Sequence, residues 1–351
     1  MADEPKIQSK ATIKDIARLV GVSETTVSLS FRPNSRIGKK TRNKVLEIAN
    51  ELNYFPNTAA RDLRSGRTRT IGIIINDITN PFYGAMIRKA EEIASQQDYE
   101  VIIAETQWSS ERSLNSIRKM IQNRFEGIII CFTEKTRDTY ELIQSSGLAH
   151  IAVDTIPPFY NGPYVINDAQ RAGYLAAQHL HERGCSKIAV FNAQNDIGEF
   201  SSVKSMEEGF FSFYRESGFP LENIDRINAG LTISSGEKAF QNVWEQGTFH
   251  NGIFCMNDFC AMGVMNESAL HDILPGRDYA IIGVDNNYVS SLHCLSLSSI
   301  DIAYTEISEI ATTYLINRIE KRESSTLNKI IPPLLVARDS TLNYSAKGKV
   351  P

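Results

Sequence analysis

The sequence lacks the cysteine arrangements that stabilise small secreted domains or bind zinc. Its five cysteines are odd in number, scattered over 351 residues, and include no C-x-x-C pair. These absences argue against a disulfide framework and against a zinc site. Four of the five lie in or beside apolar runs, and we expect buried, reduced thiols at those positions.

Long apolar segments and common catalytic motifs are also missing. No apolar stretch approaches the roughly 20 residues that span a membrane, and the opening segment MADEPKIQSK has no apolar signal-peptide region. The sequence contains no G-x-G-x-x-G, Walker A, H-E-x-x-H or G-x-S-x-G motif, and its six histidines do not cluster around a nucleophile. We therefore predict a cytoplasmic protein that makes no membrane contact, is not an enzyme, and uses no cofactor or metal.

Positive charge is concentrated near the N-terminus. The whole chain has a formal net charge of -4, which alone argues against a nucleic-acid-binding protein. Residues 10–69, however, contain thirteen Lys and Arg but only five Asp and Glu, a balance of +8, whereas residues 70–351 carry -11. This distribution assigns any contact with a polyanion to the first seventy residues.

Residues 12–32 carry the pattern of a helix-turn-helix. Apolar residues at i, i+3, i+4 and i+7 predict one buried face on the first helix: Ile13, Ile16, Ala17 and Val20. Gly21 stands at the turn, and Ser23 is a suitable N-cap for the second helix. The outward face of that helix repeats the same spacing with Thr25, Ser28, Leu29 and Arg32. Such a small polar face is suited to base edges and phosphates in a major groove.

From Ile71 onward, short apolar strands alternate with longer helices. We predict eight strands, near 71–75, 100–104, 127–131, 149–153, 187–191, 251–255, 279–284 and 296–300, separated by eight helices. Continuous apolar runs such as IGIII favour strands of a parallel sheet that is buried on both faces. Eight such units exceed one doubly wound sheet, which indicates a two-lobed body. Ligands of such sheets bind at the carboxyl ends of the strands.

These patterns divide the chain into five segments. A disordered lead-in (1–10) precedes the helix-turn-helix domain (11–55), and an Arg-rich linker with helix-forming potential follows (56–70). The two-lobed body occupies 71–340, with a break between lobes near 157–167 and a re-crossing of the chain near 286–300. The polar tail (341–351) has no leucine heptads, so helix-mediated tetramerisation is not indicated.

The sequence closely resembles the LacI/GalR family of bacterial transcription regulators from Thr12 to Ser340. The matching blocks include TIKDIARLVGVS (12–23), ELNYFPN (51–57), IGIIINDITNPFY (71–83), DAQRAGYLAAQHL (168–180), IIGVD (281–285) and VARDST (336–341). A lone helix-turn-helix pattern is weak, whereas several blocks in one order are specific. The resemblance implies a small all-α helix-turn-helix DNA-binding domain joined to an α/β two-lobed body like a periplasmic binding protein, with parallel sheets.

The resemblance also implies a homodimer that binds a palindromic double-stranded DNA operator, with one helix in each major groove. It assigns groove-facing positions to Ser23, Glu24, Thr25, Ser28 and Leu29. It assigns phosphate contacts to Thr12, Arg32, Arg36, Thr41 and Tyr54. The linker positions are Asn57, Ala60, Leu63 and Arg64, and a hinge helix formed there on DNA would insert Leu63 into the minor groove.

Two groove-facing positions need separate interpretation. Many relatives carry Arg or His where this chain has Leu29. An aliphatic side chain cannot donate to guanine, so we expect an apolar contact there, for example with a thymine methyl. Glu24 could accept a hydrogen bond from a cytosine amine, or it could serve only to complement the helix dipole.

For the body, the resemblance implies a sugar or sugar derivative bound between the lobes as effector. The positions carried over are Phe82, Tyr83, Asp154, Ser202, Met206, Phe254, Asn257, Asp258 and Asp285. Carboxylates and amides would bind hydroxyl groups, and aromatic rings would stack on apolar sugar faces. Phe82 could instead be a core residue and Asp258 a helix cap. Asp285, directly after a buried strand, is the best single candidate.

Met206 departs from the family pattern, which commonly has an Arg at this position to bind sugar hydroxyls or a carboxylate. Its loss disfavours an anionic effector and leaves open a neutral sugar, another ligand class, or a protein partner. A solute-binding protein without DNA contact is the alternative, but it conflicts with the basic segment and the missing signal peptide. We therefore predict a DNA-binding repressor whose affinity for its operator is modulated by a small ligand.

Overall fold

The computed structural model describes residues 11–31, 35–54, 67–132, 136–193 and 201–345. The chain divides into two compact units, Met1–Thr68 and Arg69–Pro351. The predicted lead-in (1–10) lies outside the described residues. So do most of the predicted linker and five of the predicted DNA contacts, namely Arg32, Asn57, Ala60, Leu63 and Arg64.

The first unit has three described helices, α1 (Ile13–Val20), α2 (Glu24–Ser30) and α3 (Lys39–Glu51). Their inward faces meet in a small core of Ile16, Ala17, Val27, Val45 and Ala49. Gly21 ends α1 with φ +79°, a backbone conformation that glycine adopts without strain. The N-terminal pattern therefore folds as the sequence predicts.

The second unit is built from two six-stranded sheets. The first sheet has the order β11-β5-β4-β3-β1-β2, and all of its strands are parallel. Its strands are β1 (Thr70–Ile75), β2 (Glu100–Glu105), β3 (Gly127–Ile130), β4 (Ala149–Val153), β5 (Tyr164–Asn167) and β11 (Asn328–Ile331). The helices of this first lobe are α4 (Pro81–Ser95), α5 (Ser110–Gln122), α6 (Arg137–Ser146) and α11 (Tyr304–Ile319).

The second sheet has the order β12-β10-β9-β8-β6-β7 and is parallel except for the pairing of β10 with β12. Its strands are β6 (Ile188–Asn192), β7 (Ile224–Asn228), β8 (Gly252–Cys255), β9 (Ala280–Val284), β10 (Ser298–Asp301) and β12 (Leu334–Val336). The helices of this second lobe are α7 (Ala169–Glu182), α8 (Ser202–Ser217), α9 (Ile233–Glu245), α10 (Asp258–Leu270) and α12 (Asp339–Leu342). The predicted fold class, with a two-lobed α/β body, is confirmed.

The chain crosses between the lobes at three places in the described structure. The first crossing follows Asn167, at the C-terminal end of the predicted range 157–167, because β5 still pairs with β4. The re-crossing predicted near 286–300 is wrong: β10 pairs with β9 in the second sheet, and the chain crosses only between Asp301 and Tyr304. A third crossing, which the sequence did not reveal, joins β11 to β12 between Ile331 and Leu334.

The C-terminal boundary at residue 340 is also wrong, because the second lobe continues beyond it. Thr341 is fully buried, and its hydroxyl lies 2.7 Å from Nε2 of His179. Tyr344 packs into the main core of the body. Four of the five cysteines are buried as expected, whereas Cys294 is exposed. In the part of the chain that is described, no helix combines the length and apolar character needed to cross a membrane.

Candidate DNA-binding surface and ligand cleft

Helix α2 presents the side chains predicted to face the groove. Ser23 caps the helix by accepting a hydrogen bond from the backbone N–H of Thr26 at 3.1 Å. Ser23, Glu24 and Thr25 are exposed, whereas Ser28 and Leu29 are half-buried. The opposite side of α2 is anchored by Val27, which is fully buried in the three-helix core. The outward surface is therefore held in place by the inward one.

The described candidates for phosphate contact differ in their exposure and in their contacts within the first unit. Thr12 forms a capping box with Asp15, whose carboxylate accepts a hydrogen bond from the Thr12 backbone N–H at 3.0 Å and a further one from the Thr12 hydroxyl at 2.6 Å. Arg36 is exposed, Thr41 is half-buried, and the ring of Tyr54 lies 6.0 Å from that of Phe31. Thr12 and Tyr54 therefore have structural roles in addition to any contact with DNA.

A supporting residue that the sequence analysis missed is Arg42. Its Nε donates to the backbone carbonyl of Ser30 at 3.1 Å, at the C-terminal end of α2. A cation at this end of a helix satisfies an unpaired carbonyl and complements the dipole. Arg42 thus ties α3 to the recognition helix. Its position next to Thr41, one of the predicted phosphate contacts, was the available signal.

The body contains a cavity of about 460 Å³ between the two lobes. This volume falls within the range of about 300–1,000 Å³ that is usual for small-molecule sites. Seven of the nine predicted effector positions line it: Phe82, Tyr83, Asp154, Ser202, Met206, Asn257 and Asp285. Phe82, Tyr83 and Asp154 come from the first lobe and the other four from the second, so the cavity is assembled only when both lobes fold.

The other two predicted positions, Phe254 and Asp258, lie outside this lining. Phe254 is fully buried and stacks on Phe210, with ring centroids 4.9 Å apart. Asp258 is also fully buried, and its carboxylate accepts hydrogen bonds from Ser290 and Ser299 at 2.6 Å each. Both side chains make their contacts within the second lobe, so neither is available to bind a ligand in the cavity.

The cavity also involves residues that the sequence analysis did not select. Most of them follow strands of the two sheets, at the carboxyl ends where ligands bind in such folds. They include Asp77, Asn80, Trp108, Phe132, Asn167 and Phe259. Inspecting two or three residues after each strand would have found Asp77 and Trp108. Asn167 was hidden because β5 had not been predicted.

Two carboxylates from opposite lobes are the main charged groups of the cavity. Asp154 lies near Ser202 of the second lobe, and Asp285 lies near Asn80 of the first lobe. Burial raises the pKa of Asp154 to about 6. Burial, followed by the charges of Asp258 and Asp154, raises the pKa of Asp285 well above its ordinary value. Each carboxylate therefore lies next to a polar side chain of the opposite lobe.

The backbone around the cavity is strained at several of its lining residues. Gln107 and Trp108 have φ values of +49° and +61°, and Asp154 and Asp285 have +70° and +100°. Residues other than glycine rarely adopt such conformations, which cost about 1–3 kcal/mol each and concentrate at functional sites. At Asp154 the strain forms a three-residue turn in which Thr155 N–H donates to the carbonyl of Val153 at 2.9 Å.

Asp285 is held rigidly despite its strained backbone. Its N–H donates to the carbonyl of Ile300 at 3.0 Å. The next residue, Asn286, accepts a hydrogen bond from the guanidinium of Arg338 at 2.6 Å. A second nitrogen of Arg338 donates to the carbonyl of Leu297 at 2.6 Å. The turn after β9 therefore holds the Asp285 carboxylate at the cavity wall.

Two family models match the chain. "Bacterial regulatory proteins, lacI family" covers residues 12–57. "Periplasmic binding proteins and sugar binding domain of LacI family" covers residues 68–331. The first contains the three-helix unit, and the second contains nearly all of the two-lobed body.

Whole-chain relatives and solved structures agree with these matches. An HTH-type transcriptional repressor PurR from Pasteurella multocida is 28% identical over 333 residues, covering 93% of this chain and 98% of that protein. A ribose-bound LacI family regulator from Enterococcus faecium is 26% identical with a TM-score of 0.70, covering 78% of this chain and 98% of that one. The Lac repressor dimer bound to operator has a TM-score of 0.80 at 20% identity, covering 95% of this chain and 100% of that one. The chain belongs to the LacI family of bacterial regulatory proteins, as a regulator with a helix-turn-helix domain and an effector-binding body.

Proposed function

We propose that the chain is a repressor that binds a palindromic operator as a homodimer, and that a small ligand in the inter-lobe cleft modulates its affinity for DNA. The observation that carries this proposal is the pairing of two sites in one chain. An exposed recognition helix lies in the basic segment, and a cavity of about 460 Å³ lies in the acidic body. The DNA-binding role assigns the protein to the cytoplasm.

The proposed DNA contacts follow from exposure on the first unit. Ser23, Glu24 and Thr25 at the start of α2 are exposed, as expected of residues that reach base edges from the N-terminal end of a recognition helix. Arg36 is exposed and supplies positive charge for a phosphate. We assign Arg32, Asn57, Ala60, Leu63 and Arg64 to the same interface from the family resemblance.

A homodimer is supported by an apolar surface on the first lobe. Strand β2 lies at the edge of its sheet, and Ile102 and Ile103 in it are each 41% exposed. Ile78 is 53% exposed and adjoins this strand, since its N–H donates to the Glu105 carboxylate at 2.9 Å. Exposed apolar edge strands are normally covered or charged. A second copy related by a two-fold axis would cover this surface and would match a two-fold symmetric operator.

The proposed ligand is a hydroxylated small molecule of the sugar class, taken in its broad sense to include derivatives. Asp154, Asn167 and Asp285 offer acceptors, and Phe82 and Trp108 offer apolar ring surfaces. The ribose-bound relative has the same body fold. Because the cavity walls come from both lobes, a ligand that favours one lobe arrangement shifts the population of that arrangement and, through the linkers, the affinity for DNA.

The first test is selection of duplexes from a random library with the full-length protein, followed by anisotropy titrations at several salt concentrations. We expect two-fold symmetric sequences, and an affinity that falls about 1,000-fold or more between 50 and 200 mM salt if six or more phosphates are contacted. Scrambling one half-site should abolish most of the specific affinity. A library without symmetric sequences, or an affinity that is independent of salt, would contradict the proposal.

A matched pair of leucine variants tests the recognition surface. Leu29→Ala should change the base preference at one position of each half-site and weaken binding about tenfold or more, because an apolar base contact is lost. Leu19→Ala is the control, since Leu19 lies on α1 and is 54% exposed. Equal effects of the two variants would refute the assigned face of α2.

A further inference from the structure

The described lining of the cleft is acidic and contains no cation. Among its charged residues are three carboxylates, Asp77, Asp154 and Asp285, whereas Lys, Arg and His are missing from the lining residues that the structure describes. Met206, at the position where the family commonly has Arg, lines the cavity and is 5% exposed. Nothing in the described walls balances the negative charge.

The unsatisfied polar atoms of the cavity are acceptors. Oδ2 of Asp285 and Oδ1 of Asn167 are buried, and neither has a hydrogen-bond partner among the residues that the structure describes. The two residues are 6% and 4% exposed, and both line the cavity. A buried acceptor without a donor is costly, and a buried carboxylate without a cation is more costly still. The two acceptors therefore favour a ligand that donates hydrogen bonds.

The groups that face Asp285 from the neighbouring elements do not supply a positive charge to balance its carboxylate. Asp154, Asp258 and Asp301 are negative and raise the pKa of the Asp285 carboxyl. Burial, and to a smaller extent the charge of Asp285, raises the pKa of the Tyr83 and Tyr304 phenols. The guanidinium of Arg338 is directed to Asn286 and Leu297 instead.

Aromatic rings complete the walls. Five of them line the cavity: Phe82, Tyr83, Trp108, Phe132 and Phe259. Aromatic faces attract organic cations, and the combination of rings with carboxylates is typical of ammonium-binding sites. Calcium and magnesium instead require shells of oxygen ligands. Among the described residues, no cluster of side chains could hold a metal ion. The composition thus favours an organic cation over an inorganic one.

We infer that the effector carries a protonated amine, which binds between Asp154 and Asp285 while its carbon skeleton packs against the aromatic walls. The inference rests on the proposed ligand cleft and makes the ligand class more specific, from hydroxylated compounds in general to an amino sugar or a related polar amine. The ammonium group would supply the donors that Asp285 and Asn167 lack. It would also neutralise two carboxylates that otherwise face each other.

The direct test compares probes that share a skeleton but differ in charge. The full-length protein is titrated at pH 7.5 with D-glucosamine, D-glucose, N-acetyl-D-glucosamine and D-glucuronate, and with putrescine and 1,4-butanediol. Thermal unfolding and calorimetry are the readouts, because a ligand that binds only the folded state raises Tm. We expect the amines to bind at least tenfold more tightly than their hydroxyl partners. No shift with either amine, tighter binding of a neutral partner, or a shift with calcium or magnesium chloride alone overturns the inference.

Proton release gives a second readout. Burial raises the pKa of Asp154 to about 6 and the pKa of Asp285 well above its ordinary value. An ammonium ligand favours the ionised carboxylates, so its binding near pH 6 should displace protons. Calorimetry in buffers of different ionisation enthalpy should show net proton release, and the affinity for the amine should fall at least tenfold from pH 8 to pH 5. A neutral ligand that binds without proton release would contradict the inference.

Variants at Met206 test the charge of the cavity. Met206→Arg places a cation in the lining and should abolish the preference for amines, while favouring D-glucuronate over D-glucosamine. Met206→Gln has a similar length without charge and should retain the preference for amines. Asp285→Asn keeps the size of the side chain and should weaken amine binding at least tenfold. Circular dichroism and operator affinity verify that each variant folds, and an unchanged amine preference in Met206→Arg refutes the inference.

The outcomes separate this inference from the proposed function. Neutral sugars that bind the cleft and change operator affinity would support the proposed function and refute the amine. Amines that bind with proton release, without any effect on operator affinity, would support the amine and refute ligand control of DNA binding.

Discussion

The two units of the chain differ in how their working surfaces are assembled. The proposed base-contacting surface is contained in seven consecutive residues, 23–29, and depends on a core of five buried side chains. The cavity draws on segments from Asp77 to Ile302 and on the extended cores of two lobes. Because the first surface is built from one short segment, it can be predicted from the sequence, but the small core beneath it gives it little stability. The cavity is built from many distant segments, so it is harder to predict from the sequence, but large cores stabilise it.

The largest effect expected from this difference is loss of DNA binding through a single core truncation. Ile16→Ala removes a fully buried side chain from the five-residue core of the first unit. Such a truncation costs about 2–5 kcal/mol, which is most of the stability of a domain this small. We expect operator affinity to fall more than 100-fold, measured by anisotropy.

The same variant should leave the body intact. Both tryptophans, Trp108 and Trp244, lie in the second unit, so their fluorescence reports unfolding of the body alone. We expect an unchanged fluorescence transition in Ile16→Ala. A matching drop in the tryptophan transition would show that the two units unfold together and would remove the basis of the comparison.

The next largest effect breaks the body. Gly209 in α8 crosses α7 so closely that an added Cβ would lie 1.8 Å from the carbonyl oxygen of Gln170. Backbone atoms cannot move aside at low cost, so Gly209→Ala should destabilise the body by about 4 kcal/mol or more. The tryptophan transition should shift to lower denaturant concentration, together with loss of ligand binding.

Gly84→Ala is the matched control for this variant. Gly84 lies within helix α4, and an added Cβ would meet nothing within 4 Å. Alanine there should stabilise the protein by about 0.5–1 kcal/mol, because it restricts the unfolded chain. Destabilisation by both substitutions to the same extent would show that helix geometry, and not the contact with α7, is responsible.

The smallest of the three effects is an opposite pH dependence of the two units. Burial raises the pKa of Asp258 in the body from 3.8 to about 7. The folded body therefore binds a proton that the unfolded chain releases, and its stability falls as pH rises from about 4 to about 7. The full loss is about 4 kcal/mol for this carboxyl. The hydrogen bond with Thr12 lowers the pKa of Asp15 in the first unit, so its small contribution is lost as pH falls.

Urea unfolding followed by tryptophan fluorescence at pH 4.5, 6 and 8 measures the first of these trends. Asp258→Asn removes one of three buried carboxyl groups whose pKa is raised in the body, so the profile should become less steep over this range. Asp154 and Asp285 contribute the remaining slope. A profile in the variant as steep as in the wild-type protein would assign the pH dependence to other groups.

The sequence predicted the first unit better than the second for a physical reason. Helix spacing, a turn glycine and an N-cap are local signals, and each is satisfied within the same short segment. In the body, the eight predicted strands are those with apolar runs, and all except the edge strand β2 are central. The four strands that the sequence did not reveal are β5, β7, β11 and β12. Three of them, β7, β11 and β12, are edge strands with exposed or half-buried residues, so they carry no continuous apolar run.

The cavity shows the same limit at single residues. Asp285 could be selected because it directly follows an apolar strand, whereas Asn167 ends a strand with no strong apolar pattern. Asp258 was selected by motif alone, and its hydrogen bonds to Ser290 and Ser299 became visible only in three dimensions. Motif position identifies a neighbourhood, but the direction of a side chain within it depends on contacts distant in the sequence.

The three crossings between the lobes have a mechanical consequence. They leave from β5, β10 and β11, and β5 pairs with β11 in the first sheet while β10 pairs with β12 in the second. All three crossing segments therefore lie along one edge of the body, and two adjacent prolines, Pro332 and Pro333, stiffen the third segment. Sliding of one lobe past the other would stretch all three crossing segments at once, whereas rotation of the lobes about that edge would stretch none of them. We expect rotation of one lobe relative to the other about this edge to be the main low-energy motion of the body. Any ligand would then act by changing the angle between the lobes.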